Sequence, residues 1–159
     1  MPTKWPRLCG HSTPRHTSLE TDSTRVTNLS TPYNMDTKEI ENRVMKARQL
    51  HEQGCNCCQS VVLAYSDLLP IDEQSAAMMA SGFGRGISGL RETCGCVTGM
   101  AMVCGLCNQT MMVKGLGNRF REENGDLNCF RLLQQQGQDH SCNDLVACAA
   151  RLLGENLNV

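Results

Sequence analysis

From Met35 to the C-terminus, apolar residues recur at helical spacing between glycine stops, and no stretch of useful length alternates as a strand would. A chain patterned in this way has to bury helical stripes against one another. Aromatic residues make up 4% of the 159 residues, against 11 Cys and 9 Met. The interior must then be built from Ala, Val, Leu and Met, which favours closely packed helices over a sandwich. The expected fold is all-α, a compact helical bundle of about six or seven helices with a Gly-rich loop.

The elements can be drawn one by one. Asp36 with Glu39 forms a capping-box signature, and Ile40, Val44, Ala47 and Leu50 follow as a stripe that Gly54 ends. A second helix covers 57–68, with Val61, Val62, Tyr65 and Leu68 inward and Pro70 beyond it. Asp72 opens a short third helix through Met79 and Ala80. The loop GFGRGISG, Gly82–Gly89, leads into an apolar helix from Cys94 to Cys107, with Val113 as its furthest extension. Met112, Leu116 and Phe120 mark a helix that ends near Gly125. Two short helices, 129–136 and 142–153, close the chain, with Gly137 and Gly154 as stops. Met78, Met79, Met100, Met102, Met111 and Met112 read as core filler.

Residues 1–34 differ from the rest. They are rich in Thr, Ser and Pro, carry Lys4, Arg7, Arg15 and Arg25 against Glu20 and Asp22, and show no apolar period. The expectation is a disordered N-terminal extension containing Cys9, followed by a single Cys-rich domain over 35–159. Met35 is then a candidate for the true start of translation.

Several function classes are disfavoured. Net charge is -1 and no basic run is interleaved with aromatics, so no nucleic-acid partner is expected. The longest apolar stretch, Cys96 to Cys107, falls short of the ~20 residues a membrane helix needs, so no membrane insertion is expected. The first residues lack a signal-type apolar core. The expected location is the cytoplasm, where thiols stay reduced and clustered cysteines indicate redox or metal chemistry rather than disulfide staples. No Ser/His/Asp or paired-carboxylate arrangement stands out, which argues against hydrolysis.

Four cysteines directly follow a residue that favours helix N-caps: Asn56-Cys57, Thr93-Cys94, Asn128-Cys129 and Ser141-Cys142. Gln59 and Asp144 stand three positions after two of those caps, as a capping box requires. Helix starts carry partial positive charge and favour thiolate, the form that attacks disulfides and binds soft metals. Repeating the arrangement four times is more than packing alone asks for. Arg91, Arg131 and His140 each lie near one of these cysteines in sequence and could add to the effect. In the crowded stretch GCNCCQ the capping pattern singles out Cys57 and leaves Cys55 and Cys58 as bystanders. Cys104 and Cys107 make a CxxC inside an apolar helix and read as core, as do Cys96 and Cys148. Gly84 and Gly86 in the loop, with Gly95 beside Cys94, are candidates for letting backbone approach a cofactor or an anion.

The succession GCNCCQSVV, SGFGRGISGLRETCGCVTG, FREENGDLNCFRLL and SCNDLVACAARLL resembles the C_GCAxxG_C_C family, a group named for redox activity and marked by four Cys and a CGAxxG motif. The resemblance covers about 38–153 and marks Cys57, Cys94, Cys129 and Cys142 as the family cysteines. Cys94-Gly95 and Gly99 match the motif, whereas Cys96 stands in place of its Ala and Cys58 in place of a small residue. Genes for family members often neighbour transporter genes, which implies a functional link to a transporter.

The leading expectation is a cytoplasmic thiol redox protein, a candidate thiol–disulfide oxidoreductase. In it Cys57 or Cys94 attacks a disulfide or oxidant from a redox partner, a second cysteine resolves the product, and no cofactor is required. Four cysteines allow three pairings, and all stay open. The alternative is a metal-binding protein whose same four cysteines hold an iron–sulfur cluster, Zn or Cu. A third possibility is a helical partner domain whose cysteines merely pack.

Overall fold

The computed structural model describes residues 34–135 and 141–158, whose secondary structure is helical apart from turns and two isolated β-bridges. Residues 1–33 of the expected extension, Cys9 among them, and His140 lie outside the described residues. Seven right-handed helices are present among the described residues: α1 (Thr37–Glu52), α2 (Cys57–Ala64), α3 (Glu73–Ser81), α5 (Gly95–Leu106), α6 (Val113–Asn124), α7 (Cys129–Gln135) and α8 (Cys142–Asn156). Between α3 and α5 lies α4 (Gly84–Ile87), a single turn whose Arg85 and Gly86 are left-handed. No described segment forms a strand, and no described helix is long and apolar enough to cross a membrane.

The helix starts follow the capping chemistry written in the sequence. Asp36 accepts from the Glu39 amide, Asp72 from the Ser75 amide, and Asn56 and Ser141 form full capping boxes with Gln59 and Asp144. Gly125, at φ 91°, caps α6. Other boundaries shift for local reasons. The second helix ends at Ala64 rather than Leu68, and a 3-10 turn, Ser66–Leu68, continues it. The apolar helix stops at Leu106 because Asn108 turns left-handed at φ 57°. Gly154 does not stop the last helix, which runs on to Asn156. There the glycine allows a close helix approach, since a Cβ would stand 2.9 Å from Ile40 Cγ1 and 3.0 Å from Tyr65 Oη.

α2 is the central helix. It packs on α5, α1, α3 and α8, and α1 lies along α8. Val61, Val62, Tyr65, Met100, Val103, Phe120, Val146, Leu152 and Leu153 fill the core around it. Small side chains set the helix spacing: Ala76, Ala77 and Ala80 form the whole buried face of α3. This corrects the reading of methionines as filler. Met100 is buried, and Met102 and Met112 pack at the core's edge, but Met78, Met79 and Met111 are exposed, because alanines occupy the contact faces.

Two polar anchors lock α1 and α8 to the centre. Arg43 is buried, donates to both carboxylate oxygens of Asp67 and to the Ala64 carbonyl, and stacks over the Tyr65 ring. The Tyr65 hydroxyl donates to the Ala150 carbonyl at 2.6 Å. Replacing Tyr65 with Phe removes that bond alone and is expected to cost about 1 kcal/mol in urea unfolding. An unchanged midpoint would show that the bond contributes nothing.

Candidate functional site

The family-type glycines explain how the site is assembled. Gly95 and Gly99 are four residues apart and therefore share the α5 face that meets α2. A Cβ on Gly99 would stand 3.0 Å from Val61 Cβ and 3.2 Å from the Cys58 carbonyl oxygen. At Gly95 a Cβ would lie 2.3 Å from Cys57 Sγ. The sulfur of Cys57 thus occupies the space that any side chain at 95 would need, and the starts of α2 and α5 meet there.

A second junction brings in α7. The segment 91–94 runs beside 127–130: Cys94 N donates to the Leu127 carbonyl at 2.8 Å, Cys129 N to the Glu92 carbonyl at 2.6 Å, and Phe130 N to the Arg91 carbonyl at 3.1 Å. Thr93 pairs with Asn128 in a single β-bridge rather than capping α5. Cys94 itself is the N-cap, so the cap falls one position later than the capping pattern indicates. Asn128 does cap α7, accepting from the Arg131 amide at 3.1 Å.

The Gly-rich loop closes the remaining side. Arg85, Gly86, Ile87 and Ser88 all have φ between 49° and 65°, a left-handed turn that only Gly adopts without strain. The turn aims the Arg85 amide at Cys57 Sγ, 3.4 Å away. The missing Cβ of Gly84 faces Asn56, the cap of α2, and that of Gly86 faces the Arg91 backbone and Cys129 Cβ. Gly84, Gly86 and Gly95 therefore all sit where neighbouring parts of the site touch them.

These elements surround a cavity of about 340 Å³ whose walls include Cys57, Cys94, Cys129 and Cys142, together with Cys55 and Cys96. The starts of α2, α5, α7 and α8 thus converge on one space. The cysteines in it differ in character. Cys57 is drawn down to about 6, first by a hydrogen bond from Cys96 and then by the Arg85 and Cys58 amides, against the opposing effect of burial. Cys94 is also lowered, mainly by Cys96, while the charge of Cys57 works against it. Cys96 is 1% exposed, lines the same cavity, and holds its proton far more tightly than an ordinary thiol. Cys129 departs from the expectation that every helix start favours thiolate. Burial raises it, and Arg91, with Nη1 at 3.9 Å from the sulfur, offsets this only in part. Cys142 is half-buried at the first position of α8.

The neighbouring sulfurs are of a different kind. Cys58, next to Cys57, points into the core, and burial pushes it up to about 12. Burial also raises Cys104, to about 11, and Cys107, as suits packing in α5. Arg131 pairs with Asp126. The lining cysteine that sequence reasoning assigned to the core is Cys96. Its core-like pattern hid it, and only its place two residues after Cys94, with the helix start in between, could have signalled a position in the same cavity.

Among the described residues, no three His, Cys, Asp or Glu side chains converge as a metal site would need. Cys57 and Cys94, both drawn toward thiolate, line one cavity with Cys96, which holds its proton tightly. A family model described as "Putative redox-active protein (C_GCAxxG_C_C)" matches residues 55–156. No curated protein and no solved structure matches the chain. The matched stretch takes in all four helix-start cysteines and the Gly95–Gly99 pair, and the chain belongs to the C_GCAxxG_C_C family, whose named character is redox activity.

Proposed function

We propose that the protein is a thiol–disulfide oxidoreductase in which Cys57 is the attacking thiolate and Cys94 the resolving one. The observation that carries the reading is that Cys57, Cys94 and the buried Cys96 line one cavity where the starts of α2 and α5 meet, with Cys96 the main cause of the lowering of the other two. A thiol has one proton and can donate it to one sulfur at a time.

The chemistry follows from that. Cys57 thiolate attacks one sulfur of a disulfide R–S–S–R; the S–S bond breaks, RS⁻ leaves, and Cys57–S–S–R forms. Cys57 is now neutral. The repulsion that opposed ionisation of Cys94 is gone, and the Cys96 proton is released to turn toward Cys94. Cys94 thiolate then attacks the Cys57 sulfur, expelling the second RS⁻. Two electrons have passed to the substrate, and a Cys57–Cys94 disulfide remains. A dithiol partner of lower potential must reduce it, which suits a reducing compartment such as the cytoplasm. Cys96 acts as a positioning residue. Cys129 and Cys142 line the space into which substrate enters.

Anaerobic purification with metal analysis, a visible spectrum and thiol counting on one sample tests the reading. It expects a metal-free protein with one fast-reacting thiol. A stoichiometric metal with a charge-transfer band would replace it with the cluster or zinc reading of the same four cysteines. Cys96→Ala supplies a finer check. Losing one hydrogen bond to a thiolate should move the Cys57 alkylation inflection up by about one to two pH units. An inflection that stays in place would remove Cys96 from the mechanism.

A further inference from the structure

The cavity also has a sign. Besides its cysteines, its ionisable lining among the described residues is His51, Arg85 and Arg91, with no carboxylate among those described. Of the other described arginines, Arg43, Arg48, Arg119, Arg131 and Arg151 each pair with Asp or Glu, and Arg121 forms no salt bridge. Arg85 and Arg91 form no salt bridge among the described residues, and both are exposed at the cavity.

Their backbones add an independent observation. Five described non-glycine residues have positive φ, and Arg85 (55°) and Arg91 (61°) are two of them. Left-handed backbone at a non-glycine residue is strained and persists where the surroundings impose it. Here the imposed turn places one arginine's amide on Cys57 and the other's guanidinium beside Cys129, so both arginines flank the attacking sulfur's cavity. A volume of about 340 Å³ is at the small end of ligand pockets.

We propose that the cavity selects a small anionic disulfide, whose carboxylates are held by Arg85 and Arg91 while Cys57 attacks its S–S bond. The inference rests on the thiol reading above and names its substrate class. Electron balance is as given there: the anionic disulfide is the oxidant and leaves as two thiolates, and Cys57 and Cys94 are oxidised.

The test is stopped-flow oxidation of the reduced full chain by three disulfides of similar size: dithiodiglycolate (dianionic), bis(2-hydroxyethyl) disulfide (neutral) and cystamine (dicationic). Each rate is divided by the rate with a free cysteine peptide. The expected result at low salt is about a tenfold preference for the dianion over the neutral probe, with the dication slowest. Raising the ionic strength from ~0.01 M to ~0.5 M should shrink that preference, and the Arg85→Gln/Arg91→Gln double variant should lose most of it. Equal normalised rates for the three probes, or a preference indifferent to both salt and the double substitution, would overturn the proposal and leave the thiol reading intact. If none of the three oxidised Cys57, both would fall together.

Discussion

Replacing Cys57 with Ser is expected to remove the fast thiol of this protein, and replacing Cys58 with Ser to leave it in place. At pH 6 a thiol drawn down to about 6 is half ionised, whereas an ordinary cysteine at ~8.5 is about 0.3% ionised. That is an advantage of ~150-fold in thiolate. A less basic thiolate is also a weaker nucleophile, by roughly tenfold over this interval at a Brønsted slope of ~0.45. The net expectation is alkylation by iodoacetamide about tenfold faster than an ordinary thiol at pH 6, narrowing to a few-fold at pH 7. The rate should rise through pH 6 and then level off, because the folded protein lowers this group and holds it as thiolate above that point. Cys58 cannot supply the signal, since burial pushes it up to about 12. A fast phase inflecting near pH 6 that survived in Cys57→Ser would assign the activated sulfur elsewhere.

Gly95→Ala should be one of the most damaging single methyls at the site. The new Cβ would stand 2.3 Å from Cys57 Sγ, with Gly84 Cα at 3.1 Å and Cys58 N at 3.2 Å behind it. Two of those neighbours are backbone and cannot swing away, so the sulfur has to leave its position. It would then lose the hydrogen bonds from Cys96 and the Arg85 amide that lower it. The expected outcome is a loss of about 1–3 kcal/mol in urea unfolding together with loss of the pH 6 inflection. Gly105→Ala provides the contrast. That glycine lies in the same helix with nothing within 4 Å of its Cβ position. There a methyl should stabilise by about 0.5–1 kcal/mol and leave the thiol unchanged. If both variants behaved alike, the tight fit of Cys57 against α5 would not be what shapes the site.

The parts of this account that were legible in the sequence are those governed by local chemistry. Asn56 with Gln59 and Ser141 with Asp144 announced two helix starts, and those starts carry Cys57 and Cys142. The stripe Ile40, Val44, Ala47, Leu50 and the stops at Gly54 and Gly125 were equally local. What pattern could not reveal depends on contacts between distant segments. Thr93 looked like a cap but is taken by pairing with Asn128, which moves the start of α5 to Cys94's neighbour. Gly154 looked like a stop but serves helix packing against Ile40 and Tyr65. Exposed Met78 and Met79 resembled core because nothing in their spacing says that alanines take the contact face. Cys96 read as a small core residue, and it is one. It also lines the cavity with two acidified sulfurs, and that follows only from the crossing of α2 and α5.

The Cys57–Cys94 couple is tested most directly by trapping its product. The fully reduced protein is treated with one equivalent of a small disulfide, quenched in acid, and mapped by mass spectrometry of its peptides. The account predicts one dominant intramolecular disulfide, joining Cys57 to Cys94, and in Cys94→Ser a mixed disulfide that accumulates on Cys57. A disulfide that forms with Cys57 still reduced, or a Cys57 adduct resolved as fast in Cys94→Ser as in the native chain, would contradict it.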